Sequence, residues 1–193
     1  MKKALSLILA TVLLLGILPL SSLPATAAEE SSPMVTNNIG DQDYPYYWSQ
    51  TVKAYLYEDS NGTLLRVEAL KDSVVVERYN ADFTYRAHIV LPNELPIFGG
   101  FYEGEDSLFL VFGQANPEED DNKEVVRVVR YKKNWVRMGH ASLYGANTTV
   151  PFDAGSLRMT QCGDMLYVHT SHEMYESDDG LKLHIARIFT LNA

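Results

Sequence analysis

One pattern, written twice without a gap, constrains this chain more than any other feature. Arg78-Tyr79-x3-Phe83-x4-His88-x2-Leu91 recurs as Arg130-Tyr131-x3-Trp135-x4-His140-x2-Leu143, offset by 52 residues. A period of that size means repeated supersecondary units, stacked or arranged radially, and not one irregular domain. Each copy predicts a β-hairpin: a strand ending in Tyr, a polar turn over 80–82 or 132–134, and a second strand beginning in an aromatic.

The surrounding β-branched and aromatic runs fall into three units. The first, 51–96, predicts strands over 52–57, 64–70, 74–79 and 85–91. The second, 97–150, predicts 99–103, 107–113, 124–131 and 135–143, with a long polar loop over 114–123. The third, 151–193, predicts 157–161, 165–170 and 182–191, and is one strand short. Second strands align as well: Gly62-Thr63-Leu64-Leu65-Arg66-Val67 superposes on Gly163-Asp164-Met165-Leu166-Tyr167-Val168, and 104–111 fits with two extra turn residues. The expected fold is all-β, a β-propeller-like array of four-stranded antiparallel meanders, with two full blades plus a partial third. A β-sandwich of meanders is the competing architecture, and the strand-by-strand alignment favours the array. Because a propeller needs at least four blades, the chain is expected to be an N-terminal fragment, or else to self-associate through its open propeller edge.

The N-terminus points to export. Lys2 and Lys3 precede an apolar run, and Pro24-Ala25-Thr26-Ala27-Ala28 follows it, which is the layout of a signal peptide over 1–28. About 165 residues then remain, enough for one domain with a real core. Residues 29–50 read as a flexible leader that ends in an aromatic cluster, Tyr44, Tyr46, Tyr47 and Trp48. The formal charge of -9 argues against nucleic acid, which needs a positive footprint. The single cysteine, Cys162, excludes an internal disulfide. The expected product is secreted and extracellular, with no membrane association after cleavage.

The Arg-Tyr-x3-aromatic hairpin resembles the outer hairpins of kelch-like and Asp-box propellers, and Ser177-Asp178-Asp179-Gly180 resembles a degenerate Asp-box turn. The segment 159–181 is similar to uncharacterised secreted propeller-like proteins of clostridial bacteria. Gly99-Gly100 departs from the kelch pattern, since it opens a first strand where the kelch pair closes a second. The resemblance implies a propeller fold and brings no activity, and the sialidase arginine triad finds no match.

Chemistry is sparse. His169 and His172 lie beside Glu173 with Cys162 upstream, but a spacing of three puts the histidines on opposite faces of a strand, so neither a metal site nor a cofactor is expected. They stay candidates for a pocket lining, as do Tyr46, Tyr47 and Trp48 for ligand contact. Arg78, Tyr79, Phe83, His88, Arg130, Tyr131, Trp135 and His140 occur in duplicate and are assigned to the structure of the repeat, the arginines as partners of turn carboxylates such as Asp82. Glu118-Glu119-Asp120-Asp121 lacks the alternating spacing of a calcium loop and reads as a solvated loop. No nucleophile elbow or phosphate loop occurs, so no catalytic residue is assigned. The expectation is a secreted binding or interaction module, non-enzymatic as it stands, with a glycan or peptide ligand. The alternative is a fragment of a secreted glycoside-acting, sialidase-like propeller enzyme.

Overall fold

The computed structural model describes residues 51–153 and 157–193. The signal-peptide reading of 1–28 and the leader aromatics Tyr44, Tyr46, Tyr47 and Trp48 lie outside the described residues. What is described is all-β, built as antiparallel meanders. The first sheet holds β1 (Ala54–Glu58), β2 (Leu64–Ala69), β3 (Ser73–Tyr79) and β4 (Tyr85–Pro92) in sequential order. The second repeats that order with β5 (Ile97–Glu103), β6 (Ser107–Gly113), β7 (Glu124–Lys132) and β8 (Arg137–Tyr144). The third runs β10 (Arg158–Cys162), β11 (Met165–Glu173), β12 (His184–Asn192), with the short β9 (Val150–Pro151) pairing the far end of β11 on the same side as β10. The third unit thus holds three strand positions, the innermost one interrupted, and β9 is a segment the sequence pattern did not reveal.

The second sheet lies between the other two. Leu65, Val67, Val74 and Val76 of the first sheet pack on Phe98, Leu108, Leu110, Phe112 and Val129. The opposite side chains of the second sheet, Phe109, Val111, Val126 and Val128, pack on Leu166 and Val168 of the third. All seven residues of β6 are buried, so Ser107-Leu108-Phe109-Leu110-Val111-Phe112-Gly113 reads as a continuous apolar run rather than an alternating one.

The repeat holds at the level of register. Arg78 faces Ala87 and Tyr79 faces Tyr85, with a bulge between; Arg130 faces Gly139 and Tyr131 faces Arg137, with the same bulge. The intervening turn differs from the expected one. Phe83 and Trp135 do not begin strands; they sit in the turns, at φ 66° and 67°. Asn80 N donates to Thr84 O while Phe83 N donates to Asn80 O, and Lys132 N donates to Val136 O while Trp135 N donates to Lys132 O. That is a type I turn closed by a left-handed residue. Gly62 and Gly180 occupy the same position in the turns starting at Asp59 and Ser177. In each of the four, the preceding Asn or Asp accepts the next backbone N–H: Thr63 to Asn61, Thr84 to Asp82, Val136 to Asn134, Leu181 to Asp179. The Ser177 turn joins the second and third strands of its sheet, so it is not an outer hairpin.

Two further differences have simple causes. The gapless superposition of Gly163–Val168 on Gly62–Val67 puts equivalent side chains on opposite sides of the array, because Leu65 and Val67 face the sheet that follows while Leu166 and Val168 face the sheet that precedes. The β10–β11 turn pairs Cys162 with Met165, where β1–β2 pairs Glu58 with Leu64, and a register change of one residue exchanges the faces. The Gly99-Gly100 pair is explained by packing: a Cβ on Gly99 would stand 2.6 Å from the Phe152 ring, and one on Gly113 2.7 Å from it. These glycines are the socket for an aromatic that plugs the break between β9 and β10.

The long loop is exposed at Glu118, Asp120 and Asp121, as a solvated loop should be, but it is anchored. Asn116 is buried, and its Nδ2 donates to Asp120 O, Thr148 O and Tyr175 Oη. Glu119 accepts from Glu176 N and pairs with Lys182, so the loop ties the second sheet to the third.

The twin turns make a paired prediction. Phe83 is 76% exposed, so Phe83→Gly relieves its left-handed strain at little packing cost and should stabilise by about 1 kcal/mol. Trp135 is 5% exposed, so Trp135→Gly removes a buried indole as well and should cost a net ~3 kcal/mol. Urea unfolding measures both; shifts of the same sign would refute the equivalence of strain and difference of packing.

Candidate functional site

The turns at one end of the three sheets enclose an open cleft of about 840 Å³. The first sheet contributes Tyr57, Leu65, Arg78 and the turn Asp59-Ser60-Asn61; the second contributes Tyr102, Glu103, the turn Gly104-Glu105-Asp106, and Lys133 with Asn134; the third contributes Gln161. The repeat creates this convergence, since meanders of the same strand order packed side by side bring their first turns to one end.

Part of the lining is held in place. Lys133 Nζ pairs with Glu103 at 2.9 Å and donates to Gly104 O at 2.6 Å. Gln161 Oε1 accepts from Glu105 N at 3.1 Å, and its backbone N–H donates to Tyr102 Oη at 2.9 Å. Tyr57 lies on Phe101 at a centroid distance of 5.3 Å, and burial together with the Glu103 carboxylate pushes its hydroxyl well above the usual phenol range. It stays a neutral donor. Among the described residues Arg78 makes no ion pair, and it lines the cleft. The expected partnership with turn carboxylates is therefore corrected: Asp82 accepts from Thr84, and Arg130 Nε donates to Ser107 Oγ at 2.8 Å.

The remaining sequence candidates lie elsewhere. His172 faces inward, 3% exposed, with Nε2 lacking a hydrogen-bond partner among the described residues, and burial then Arg187 and His184 hold its basicity below normal. His169 is exposed on the opposite face of β11, as the spacing of three requires. His88 Nδ1 bonds Tyr85 Oη at 2.6 Å, and His140 Nδ1 accepts from Arg137 at 2.9 Å, so both histidines bond the residue three positions earlier on their strand. Tyr131 is buried, and burial with the Glu94 charge pushes its hydroxyl up to about 12. Its counterpart Tyr79 donates to Glu77 at 2.7 Å.

The outward face of the first sheet carries a second polar cluster. Arg66 pairs with Glu68 and with Glu77, and the two carboxylates are 4% and 1% exposed. By register these three stand where the second sheet has Leu110, Phe112 and Val129. A face that is an apolar packing surface in one copy is an ionic network in the other. The cleft was missed because its members read individually as turn residues; the network was legible in the repeat, as charges at core positions.

Comparison with protein-family models, with curated proteins and with solved structures finds no match to this chain. Among the described residues no helix is long and apolar enough to cross a membrane.

Arg66→Ala strands two buried carboxylates and should cost ~3–5 kcal/mol. The triple change Arg66→Leu, Glu68→Phe and Glu77→Val installs the second sheet's side chains and should cost less than the single one. Guanidinium unfolding of both variants tests this, and a larger loss for the triple variant would contradict it.

Proposed function

We propose that the chain is an extracellular binding module without catalytic chemistry of its own, and that its cleft takes a glycan. The observation that carries this reading is the meeting of two half-buried tyrosines, Tyr57 and Tyr102, with Arg78, Asn61, Asn134 and the acidic turn at Glu105 and Asp106. Tyrosine rings offer flat contact to sugar faces, and the surrounding amides, carboxylates and guanidinium match hydroxyls as donors and acceptors. Ligand sites combine apolar walls with a few placed polar groups in this way. Kinship with kelch-like or Asp-box propellers belongs to the same proposal and rests on the hairpins alone.

The glycoside-acting alternative needs two carboxylates across a bond, one of them desolvated enough to stay protonated. Asp59 and Glu103 are half-buried, Glu105 and Asp106 are exposed, and Glu103 is neutralised by Lys133, which favours binding over hydrolysis. Screening the purified protein against an oligosaccharide array, then titrating the best binder calorimetrically, tests the proposal. Arg78→Ala should weaken binding at least tenfold, equivalent to ~1.4 kcal/mol. Retention of peptides but no glycans, or unchanged affinity in Arg78→Ala, would refute it.

Self-association is a second reading, favoured by β12. Among the described residues its outer edge is unpaired over His184–Asn192, a strand without Pro, Lys or Glu to guard it. Two such edges pair antiparallel by a two-fold axis. Sedimentation should give a dimer that Ile188→Pro dissociates; a monomer at all concentrations would remove this reading.

A further inference from the structure

We propose that Asp153, Glu173 and His184 form a site for a divalent first-row transition ion of the zinc class, at the end of the third sheet away from the cleft. The proposal is independent of the glycan reading. One carboxylate oxygen from Asp153, one from Glu173 and one ring nitrogen of His184 lie within 4.8 Å of one another. Tetrahedral zinc, bonded at about 2.0–2.2 Å, needs neighbouring donors roughly 3.4 Å apart. His184 Nε2 and Asp153 Oδ2 are already 2.6 Å apart, sharing the position a metal ion would take from a proton.

The backbone brings these groups together from three separate segments. Glu173 closes β11, and its register partner on β12 is His184, so the two side chains stand next to each other on one face. On the other side Glu173 faces Val150 of β9, and Asp153 follows in the turn after that strand. The supporting contacts orient the donors without a metal. Thr149 Oγ1 donates to Glu173 Oε1 at 2.7 Å, and Ser171 Oγ donates to the Asp153 carbonyl at 2.6 Å, fastening the turn to β11. Hydrogen-bonded ligand carboxylates of this kind are the usual support of a metal centre.

The donor set selects the ion class. An imidazole with two carboxylates suits zinc, manganese or iron, whereas calcium takes six to eight oxygens and would gain nothing from the ring nitrogen. Three protein ligands leave one tetrahedral position for water or for a group on a partner. The sequence expectation of no metal site considered His169, His172, Glu173 and Cys162, and of these Glu173 alone takes part. His184 and Asp153 enter through register and turn geometry that spacing along the chain does not display.

The test is zinc titration of the chelator-stripped protein in competition with a chromophoric chelator. The expected result is one ion per chain, with affinity reduced at least tenfold in Asp153→Asn and in His184→Gln, and unchanged in His169→Gln on the same face. Circular dichroism checks that each variant is folded. Cobalt loading of the wild type supplies a second readout that needs no variant: visible bands of a four-coordinate N,O site, without the near-ultraviolet charge transfer that ligation by Cys162 would add. Absence of stoichiometric uptake, unchanged affinity in folded His184→Gln, or no cobalt bands would each show that the three groups form an ion pair only and overturn the proposal.

Discussion

Burial of the second sheet on both faces is the constraint on which the rest of this structure depends. A sheet solvated on one side needs an apolar residue at every second position, but β6 is apolar or small at all seven, and β7 carries Val125, Val126, Val128 and Val129. Such a sheet gains its stability only when both faces are covered, so it organises its neighbours: the first sheet must offer Leu65, Val67, Val74 and Val76 to one side, and the third must offer Leu166 and Val168 to the other. The one-residue register change in the third unit follows from this demand. Its turn is shorter, its alternation is shifted, and the side chains that would have faced outward face the second sheet.

The hairpin turn shows how one backbone solution tolerates different side chains. All four copies need a left-handed residue, and two use glycine while two use an aromatic. An aromatic there carries strain of about 1–2 kcal/mol, which a buried partner has to offset. Trp135 has such a partner, stacked on Phe101 at 5.8 Å with Tyr131 beside it. Phe83 lies beside Leu56, Leu64 and Tyr79 in a shallow apolar groove and stays 76% exposed, so no partner covers it. The same sequence motif is therefore structural in the second sheet and largely a bearer of strain in the first.

Much of the architecture was legible because repeats expose register. The 52-residue offset located β3, β4, β7 and β8, and alternation supplied most of the other strands; the bulge that the two hairpins share has no mark in the sequence. What stayed hidden depends on contacts between units. Nothing local marks Phe152 as the plug for Gly99 and Gly113, or Asn116 as the buried anchor of a loop that looks solvated by composition. The cleft was invisible for the same reason: Asp59, Asp106 and Lys133 are ordinary turn residues, and only the side-by-side packing of three meanders places them around one volume. Spacing along β11 correctly separated His169 from His172, yet it carried no information about His184, which meets Glu173 across strands.

The two ends of the array differ in a way that bears on how copies would meet. Were the outward faces of the first and third sheets both apolar and complementary, association would be head-to-tail and open-ended, the geometry that produces rings or fibres. The first sheet instead carries Arg66, Glu68 and Glu77 where its counterpart carries Leu110, Phe112 and Val129, and both carboxylates are buried. Among the described residues the third sheet keeps an unpaired β12 edge, with Ile188 66% exposed. The open edge favours pairing of like with like, because an antiparallel β12–β12 contact is self-complementary. In the self-association proposed above, a pair joined there uses both edges and so stops at two.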